Sequence, residues 1–289
     1  MKDVDGKVAF VTGGASGMGL AMVRTFVAAG MKVAVADIEQ AGLDRVAEEF
    51  SGSNSEVITL RLDVTDRAAM EQAADAVERA FGRVHVVCNN AGVAVGGRVD
   101  EMSYADWDWV LGVNLNGVVN GVQTFVQRIL AHGEGGHFVN TASMAGHMAV
   151  PGLSVYNTSK FAVVGLSEAM RLDLAAKHIG VWVLCPGVVK TNIFDSGRNR
   201  PANLTGERDT ASALLASDLP EEERPSRVAS LLANALDPAA VGDMVLHAIQ
   251  HDEFYIFTHP EIRQFTEARR EEMLGAFDRW NAYRHQHGV

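Results

Sequence analysis

The chain has 289 residues, 47% of them hydrophobic, enough to bury a large core within one α/β domain. Its formal charge of -11 at pH 7 and its lack of any long Lys/Arg run exclude a phosphate-tracking surface, so nucleic acid is not an expected partner. No apolar stretch reaches about 18 residues and MKDVDGKVAF contains no leader-like apolar run, so no membrane association and a cytoplasmic setting are expected.

In chain order, the first strand is expected over residues 8–14 (VAFVTGG), followed by a helix over 19–30 with Leu20, Val23, Phe26 and Val27 on one face. Strands follow at 32–38 (KVAVADI) and 57–64 (VITLRLDV), then a helix over 66–81 built on Met70, Ala73, Ala74, Val77 and Phe81. Further strands are expected at 84–92 (VHVVCNNAG), 137–143 (HFVNTAS), 180–187 (GVWVLCPG) and 254–260 (FYIFTHP), with helices over 106–130 and 156–176 between them. The first six strand runs are almost continuously apolar, as strands covered on both faces must be. The expected architecture is therefore a single-domain α/β fold over 1–289, a Rossmann-type doubly wound parallel sheet of about seven strands with helices on both faces. Cys88 and Cys185 each lie inside an apolar run and are expected to be buried thiols in a reducing setting. No histidine shows a metal-ligand spacing, and no metal is expected. A polar, Pro-punctuated insertion occupies about 194–237, with the character of a lid or a solvated excursion. The tail at about 260–284 sets Ile262, Phe265, Met273, Phe277, Trp280 and Tyr283 near one face, predicting an amphipathic helix that docks.

Gly13, Ser16, Gly17, Met18 and Gly19 lie directly after the first strand and open the first helix, the context in which backbone N–H groups hold a phosphate. The spacing is G-x-x-x-G-x-G, and alone it also fits a tight strand-to-helix turn. Asp37 closes the second strand eighteen residues after Gly19, where a carboxylate accepts the hydroxyls of an adenosine ribose; an ordinary helix cap is the other role open to it. Neither Ser16 nor Ile38 beside this site supplies the cation that a 2′-phosphate needs, which favours NAD over NADP.

Tyr156 and Lys160, at i and i+4, share one helix face. A tyrosine ionises near pH 10, and a neighbouring ammonium with a cationic nicotinamide favours its phenolate, so the pair suits movement of a hydroxyl proton. Such a pair alone is also common on solvated helix faces. Ser143 and the run Asn89-Asn90-Ala91-Gly92 end two strands, where open α/β sheets place ligands.

Together TGGASGMG, Asp63-Val64, NNAG, Asn114, Ser143, Tyr156-Asn-Thr-Ser-Lys160 and Pro186-Gly187 resemble the single-domain branch of the short-chain dehydrogenase/reductase family. The resemblance implies an NAD(H)-dependent oxidoreductase in which Tyr156 is the general acid/base, Ser143 binds the substrate oxygen and Lys160 binds the nicotinamide ribose. It further implies that Asn114, rather than its neighbour Asn116, holds a water beside Lys160. It puts Asp63 and Val64 at the adenine, Asn90, Ala91 and Gly92 along the cofactor, and Val189 and Thr191, within the motif opened by Pro186 and Gly187, at the carboxamide. A homodimer or homotetramer is implied as well.

The substrate side is expected to include Ser143, Met144, His147, Leu153 and Phe194, a Met-rich and aliphatic lining suited to a bulky, apolar or aromatic secondary alcohol or ketone. The WDWVLGVNLNGVVNG, RPAN and PEIR segments look similar to enzymes oxidising benzylic alcohols. A 3-oxoacyl-carrier-protein reductase and a non-catalytic NAD-binding regulator are the competing readings, since fold alone does not fix function.

Overall fold

The computed structural model describes residues 1–52, 55–204, 229 and 233–289. Most of the 194–237 insertion therefore lies outside the described residues. The first of two compact units, Met1–Thr258, is built on a seven-stranded parallel sheet. Its strands are β1 (Val8–Thr12), β2 (Lys32–Asp37), β3 (Val57–Arg61), β4 (Val86–Asn89), β5 (Gly136–Thr141), β6 (Ile179–Cys185) and β7 (Tyr255–Phe257), in the order β3-β2-β1-β4-β5-β6-β7. The order reverses at β1, which pairs with both β2 and β4, so the crevice between their carboxyl ends is the topological switch point where such sheets bind ligands.

Continuous burial accounts for the strand sequences. Every residue of β1, β4 and β5 is buried, whereas the edge strands are less covered: β3 is half-buried over most of its length and only Ile256 of β7 is buried. Helices α1 (Gly17–Ala28), α2 (Gln40–Phe50) and α3 (Arg67–Phe81) form the first crossovers, with Met22, Val23 and Phe26 of α1 fully buried. Helix α7 (Pro238–His251) crosses α1 where a Cβ on Gly242 would lie 2.7 Å from the Ala21 carbonyl oxygen, an approach that only glycine permits. Cys88 and Cys185 are buried thiols, as the strand runs required.

The single helix expected over 106–130 is interrupted. Helix α4 (Tyr104–Leu111), opened by a Ser103–Asp106 capping box, runs into a π-helical turn over Gly112–Asn116 before α5 (Gly117–His132). Such a turn inserts one residue into the helical register and commonly marks a functional site. Helix α6 (Ser154–Leu174) matches the expectation within two residues at each end. No helix among the described residues is long and apolar enough to cross a membrane.

The second unit, His259–Val289, consists of a short 3-10 turn and helix α8 (Arg263–His287). The helix forms as expected, but none of its residues is buried, and Phe265, Met273, Phe277, Trp280 and Tyr283 are exposed. Amphipathic spacing specifies an apolar stripe, but not what covers it.

Two buried histidines tie stability to pH. His85 Nδ1 accepts the Val8 N–H at 3.1 Å, leaving its Nε2 proton to face Glu134 at 2.9 Å; burial lowers its pKa. His137 lies 4.4 Å from the Trp182 ring, with Nδ1 lacking a hydrogen-bond partner, and burial pushes its pKa down to about 3. Both bind protons more weakly folded than unfolded, so their contribution is complete above about pH 6.5 and is lost as pH falls. His137 alone should remove roughly 1.4 kcal/mol per pH unit below 6.5. In thermal unfolding across this window, His137→Gln should lose stability less steeply than the wild-type protein; equal slopes would contradict this account.

Candidate active site

The glycine loop is stitched to the end of β4. Thr12, closing β1, donates its hydroxyl to the Cys88 carbonyl at 3.3 Å and accepts the N–H groups of Asn90 and Ala91 at 2.9 and 3.1 Å. Asn90 Nδ2 returns bonds to the Thr12 and Gly13 carbonyls at 3.0 and 3.3 Å. Gly13 has φ +62, and a Cβ there would come within 2.9 Å of the Ala91 Cα, so both dihedral and space demand glycine. A side chain on Gly19 would strike the Gly13 carbonyl, which keeps helix and loop in contact. Ser16 is the N-cap of α1 but makes no side-chain capping bond, and the first turn, with Gly17 and Met18, holds no acidic residue. The positive end of this helix dipole, with no acidic residue in the helix's own first turn, is suited to a pyrophosphate.

Asp37 ends β2 with Oδ2 accepting the Ala15 N–H and Oδ1 the Glu39 N–H, both at 3.0 Å. Burial raises its pKa, while these bonds oppose the rise. The N-cap of α2 is Glu39, so Asp37 is not the helix cap that its sequence position also allowed. Ile38 is partly exposed beside it. In the next loop, Asp63 Oδ1 accepts the Thr65 N–H and hydroxyl, and Val64 is buried against Gly117. These positions line the glycine-loop side of the switch point and fit the adenosine half of a dinucleotide.

Four polar side chains meet on the other side. Lys160 is only 4% exposed; Nζ donates to the Thr141 carbonyl at 2.9 Å and lies 5.5 Å from the Tyr156 ring centroid. Burial pushes its pKa down to about 8. Tyr156 is hydrogen-bonded to Ser143, but burial of the phenol dominates and raises its pKa. Ser143 Oγ donates to the Pro186 carbonyl at 3.3 Å and accepts the Ala145 N–H at 3.1 Å. Asn114, in the π turn, is completely buried, accepting the Val93 N–H at 2.8 Å and donating to the Val93 carbonyl and the Ser159 hydroxyl at 2.9 and 3.1 Å. Asn116, its rival by sequence, is exposed. Gly92 lies between these groups: a Cβ there would sit 3.5 Å from Asn114 Oδ1 and 3.7 Å from Lys160 Nζ.

Beyond β6, Gly187 donates its N–H to Thr258 Oγ1 at 3.2 Å, Val189 is buried, and Thr191 stands against Gly17. Leu153 and Phe194 meet Tyr156 in an apolar cluster with Ala94, Val150 and Ile193, while Met144 is buried behind Ser143. His147 Nε2 lies 3.2 Å from Cys185 Sγ, and its ring packs edge-on to Phe257 and Tyr255. Sequence reasoning missed Thr12, Ser159 and the Thr141 carbonyl. Of these only Thr12 carried a signal, as a hydroxyl closing an apolar strand just before a glycine loop. It also missed Glu39, Ser196, Arg198 and Asp106, whose bonds join parts of the chain far apart in sequence.

Comparison with known proteins agrees with this arrangement. The family model described as short chain dehydrogenase matches residues 7–201. The C alpha-dehydrogenase of Sphingobium sp. (strain NBRC 103272 / SYK-6) is 35% identical over 275 residues, covering 95% of this chain and 87% of that protein. A short-chain dehydrogenase/reductase from Burkholderia phymatum, solved in complex with NAD, superposes with a TM-score of 0.87 at 39% identity, covering 94% of this chain and 96% of that one. The apo form of LigO from Sphingobium sp. strain SYK-6 gives a TM-score of 0.80 at 36% identity, over 97% and 92% of the two chains. With its sheet order, its glycine loop and its Ser143, Tyr156 and Lys160 site, the chain belongs to the short-chain dehydrogenase family of oxidoreductases.

Proposed function

We propose that this protein is an NAD-dependent dehydrogenase that interconverts a bulky, apolar or aromatic secondary alcohol and its ketone. The observation that carries the reading is the convergence of Ser143, Tyr156, Lys160 and Asn114 on one side of the switch point, with the uncapped glycine loop and Asp37 on the other. Bound NAD supplies the hydride acceptor for alcohol oxidation. The chain's own residues handle the proton. Ser143 holds the substrate oxygen and Tyr156, already hydrogen-bonded to Ser143, accepts the hydroxyl proton. Lys160, whose Nζ lies 5.5 Å from the Tyr156 ring centroid and is fixed by the Thr141 carbonyl, is the cation that favours the phenolate as it forms. Asn114 pins the π turn to Val93 and so shapes the wall beside Lys160.

The apolar side of the site supports the substrate class. Leu153, Ile193 and Phe194 adjoin Tyr156, and Val93, Val95, Trp109 and Val155 form a second cluster behind Asn114. Such a lining favours a ring or long aliphatic group over a short alcohol. The similarity to a C alpha-dehydrogenase points in the same direction. NAD is favoured over NADP because the Asp37 carboxylate repels a 2′-phosphate while accepting ribose hydroxyls.

A panel of aryl and short-chain secondary alcohols, followed by nicotinamide absorbance, tests the reading. Turnover should be found with NAD and the aryl members, and activity confined to short alcohols would contradict the substrate class. Tyr156→Phe should lower kcat by roughly a thousandfold with little change in NAD affinity, because it removes the proton acceptor alone; retained activity would remove Tyr156 from this role. Asp37→Ala should reduce the ratio of kcat/KM with NAD to that with NADP by about tenfold or more, the scale of a lost charge-assisted hydrogen bond. An unchanged ratio would contradict the assignment.

A further inference from the structure

The segment after β6 crosses the carboxyl end of the sheet and is fastened along its length. At its start Thr191 stands against Gly17 of the glycine loop. Ser196 Oγ accepts the Ala94 N–H at 3.2 Å, just beyond β4. Arg198 donates Nε and Nη2 to one oxygen of Glu39 at 3.0 and 2.6 Å, and Asn199 Nδ2 donates to the same oxygen at 2.8 Å. Arg200 Nη1 donates to Asp106 Oδ1 at 2.7 Å, with its guanidinium 5.1 Å from the Trp109 ring centroid. The strap thus joins the β2–α2 turn, where Asp37 lies, to α4 on the apolar side, passing over the crevice between them.

Its two ion pairs differ in kind. The Arg200–Asp106 side chains are 8% and 2% exposed, a buried anchor. Those of Arg198 and Glu39 are 30% and 32% exposed, so water and salt reach the pair. Glu39 occupies the N-cap position of α2 yet makes no side-chain capping bond; its carboxylate is turned to the strap instead. Burial works against its charge, but the bonds from Arg198 and Asn199 outweigh that and hold its pKa below the usual carboxylate range.

We propose that Glu39 is a positioning residue that latches the 192–199 strap over the cofactor crevice, so that the Arg198–Glu39 pair must part before a bound nicotinamide cofactor leaves. The proposal rests on the NAD-dependent reading above. A dinucleotide reaching from Asp37 to Tyr156 would lie beneath the strap, and the Arg200–Asp106 anchor would keep the far end in place while the latch opens. Glu39 touches no reacting atom; it acts through the residence time of the cofactor.

Stopped-flow measurement of NADH release provides the test. Glu39→Gln should release NADH about five- to tenfold faster than wild type, the discounted worth of a half-exposed charged pair. Release from the wild-type protein should accelerate with added salt and release from Glu39→Gln should not. The exchanged pair Glu39→Arg with Arg198→Glu should restore slow release. Hydrogen exchange of the cofactor-free protein gives an independent readout: amides of residues 192–199 should lose protection in Glu39→Gln. Release within twofold of wild type overturns the proposal even if exchange rises. If the wild-type protein binds no NADH, the cofactor reading fails by itself, and unchanged exchange in Glu39→Gln then overturns the latch as well.

Discussion

The site depends on one ammonium group kept out of water with no carboxylate partner among the described residues. Lys160 Nζ donates to a backbone carbonyl, Thr141, inside a wall made by Asn114, Gly92 and the Tyr156 ring. Burial lowers its pKa from 10.5 to about 8, a difference worth roughly 3 kcal/mol against the charged form. Pairing with a carboxylate would relieve that cost and cancel the field at Tyr156. A neutral carbonyl holds the group in place and leaves most of its charge active. The site keeps an electrostatic strain that the surrounding sheet and helices are stable enough to carry.

The neighbouring elements enforce this geometry. Gly146 brings the turn after Ser143 so close to α6 that a Cβ would meet the Lys160 carbonyl oxygen at 2.7 Å, which fixes Ser143 relative to Tyr156 and Lys160. The π turn displaces Asn114 inward to grip Val93, and Val93 directly follows Gly92. On the opposite side, Thr12 and Asn90 lock the glycine loop to the end of β4. Both halves are therefore referenced to the same strand end, and the separation of Asp37 from Tyr156 is held by bonds from short side chains to backbone rather than by long, flexible ones. The strap from Thr191 to Arg200 then spans the two halves, buried at one end and salt-accessible at the other.

What the sequence made legible follows from how local each signal is. The buried strands, the glycine loop, Asp37 and the Tyr156–Lys160 pair were readable because apolar runs, a helix start and an i, i+4 spacing are each contained within a few residues. The π turn was not readable, since Gly112–Asn116 continues the apolar helical pattern and only packing of Asn114 against Val93 forces the extra residue. His147 follows Ser143 closely in sequence, but the ring contacts made by β7 draw it toward Cys185 and Phe257. The Arg198–Glu39 and Arg200–Asp106 pairs join positions 159 and 94 residues apart, and no periodicity announces such contacts.

The central claim is that a buried lysine cation, aided by the cofactor's positive ring, brings an otherwise weakly acidic phenol into use. A difference titration of phenolate absorbance, wild type minus Tyr156→Phe, isolates Tyr156 from the chain's three other tyrosines. The account predicts that Tyr156 ionises above the ordinary tyrosine range in the free protein, that saturating NAD lowers this ionisation, and that Lys160→Met largely abolishes the shift. A Tyr156 ionisation unaffected by NAD, or one moved equally with and without Lys160, would contradict it.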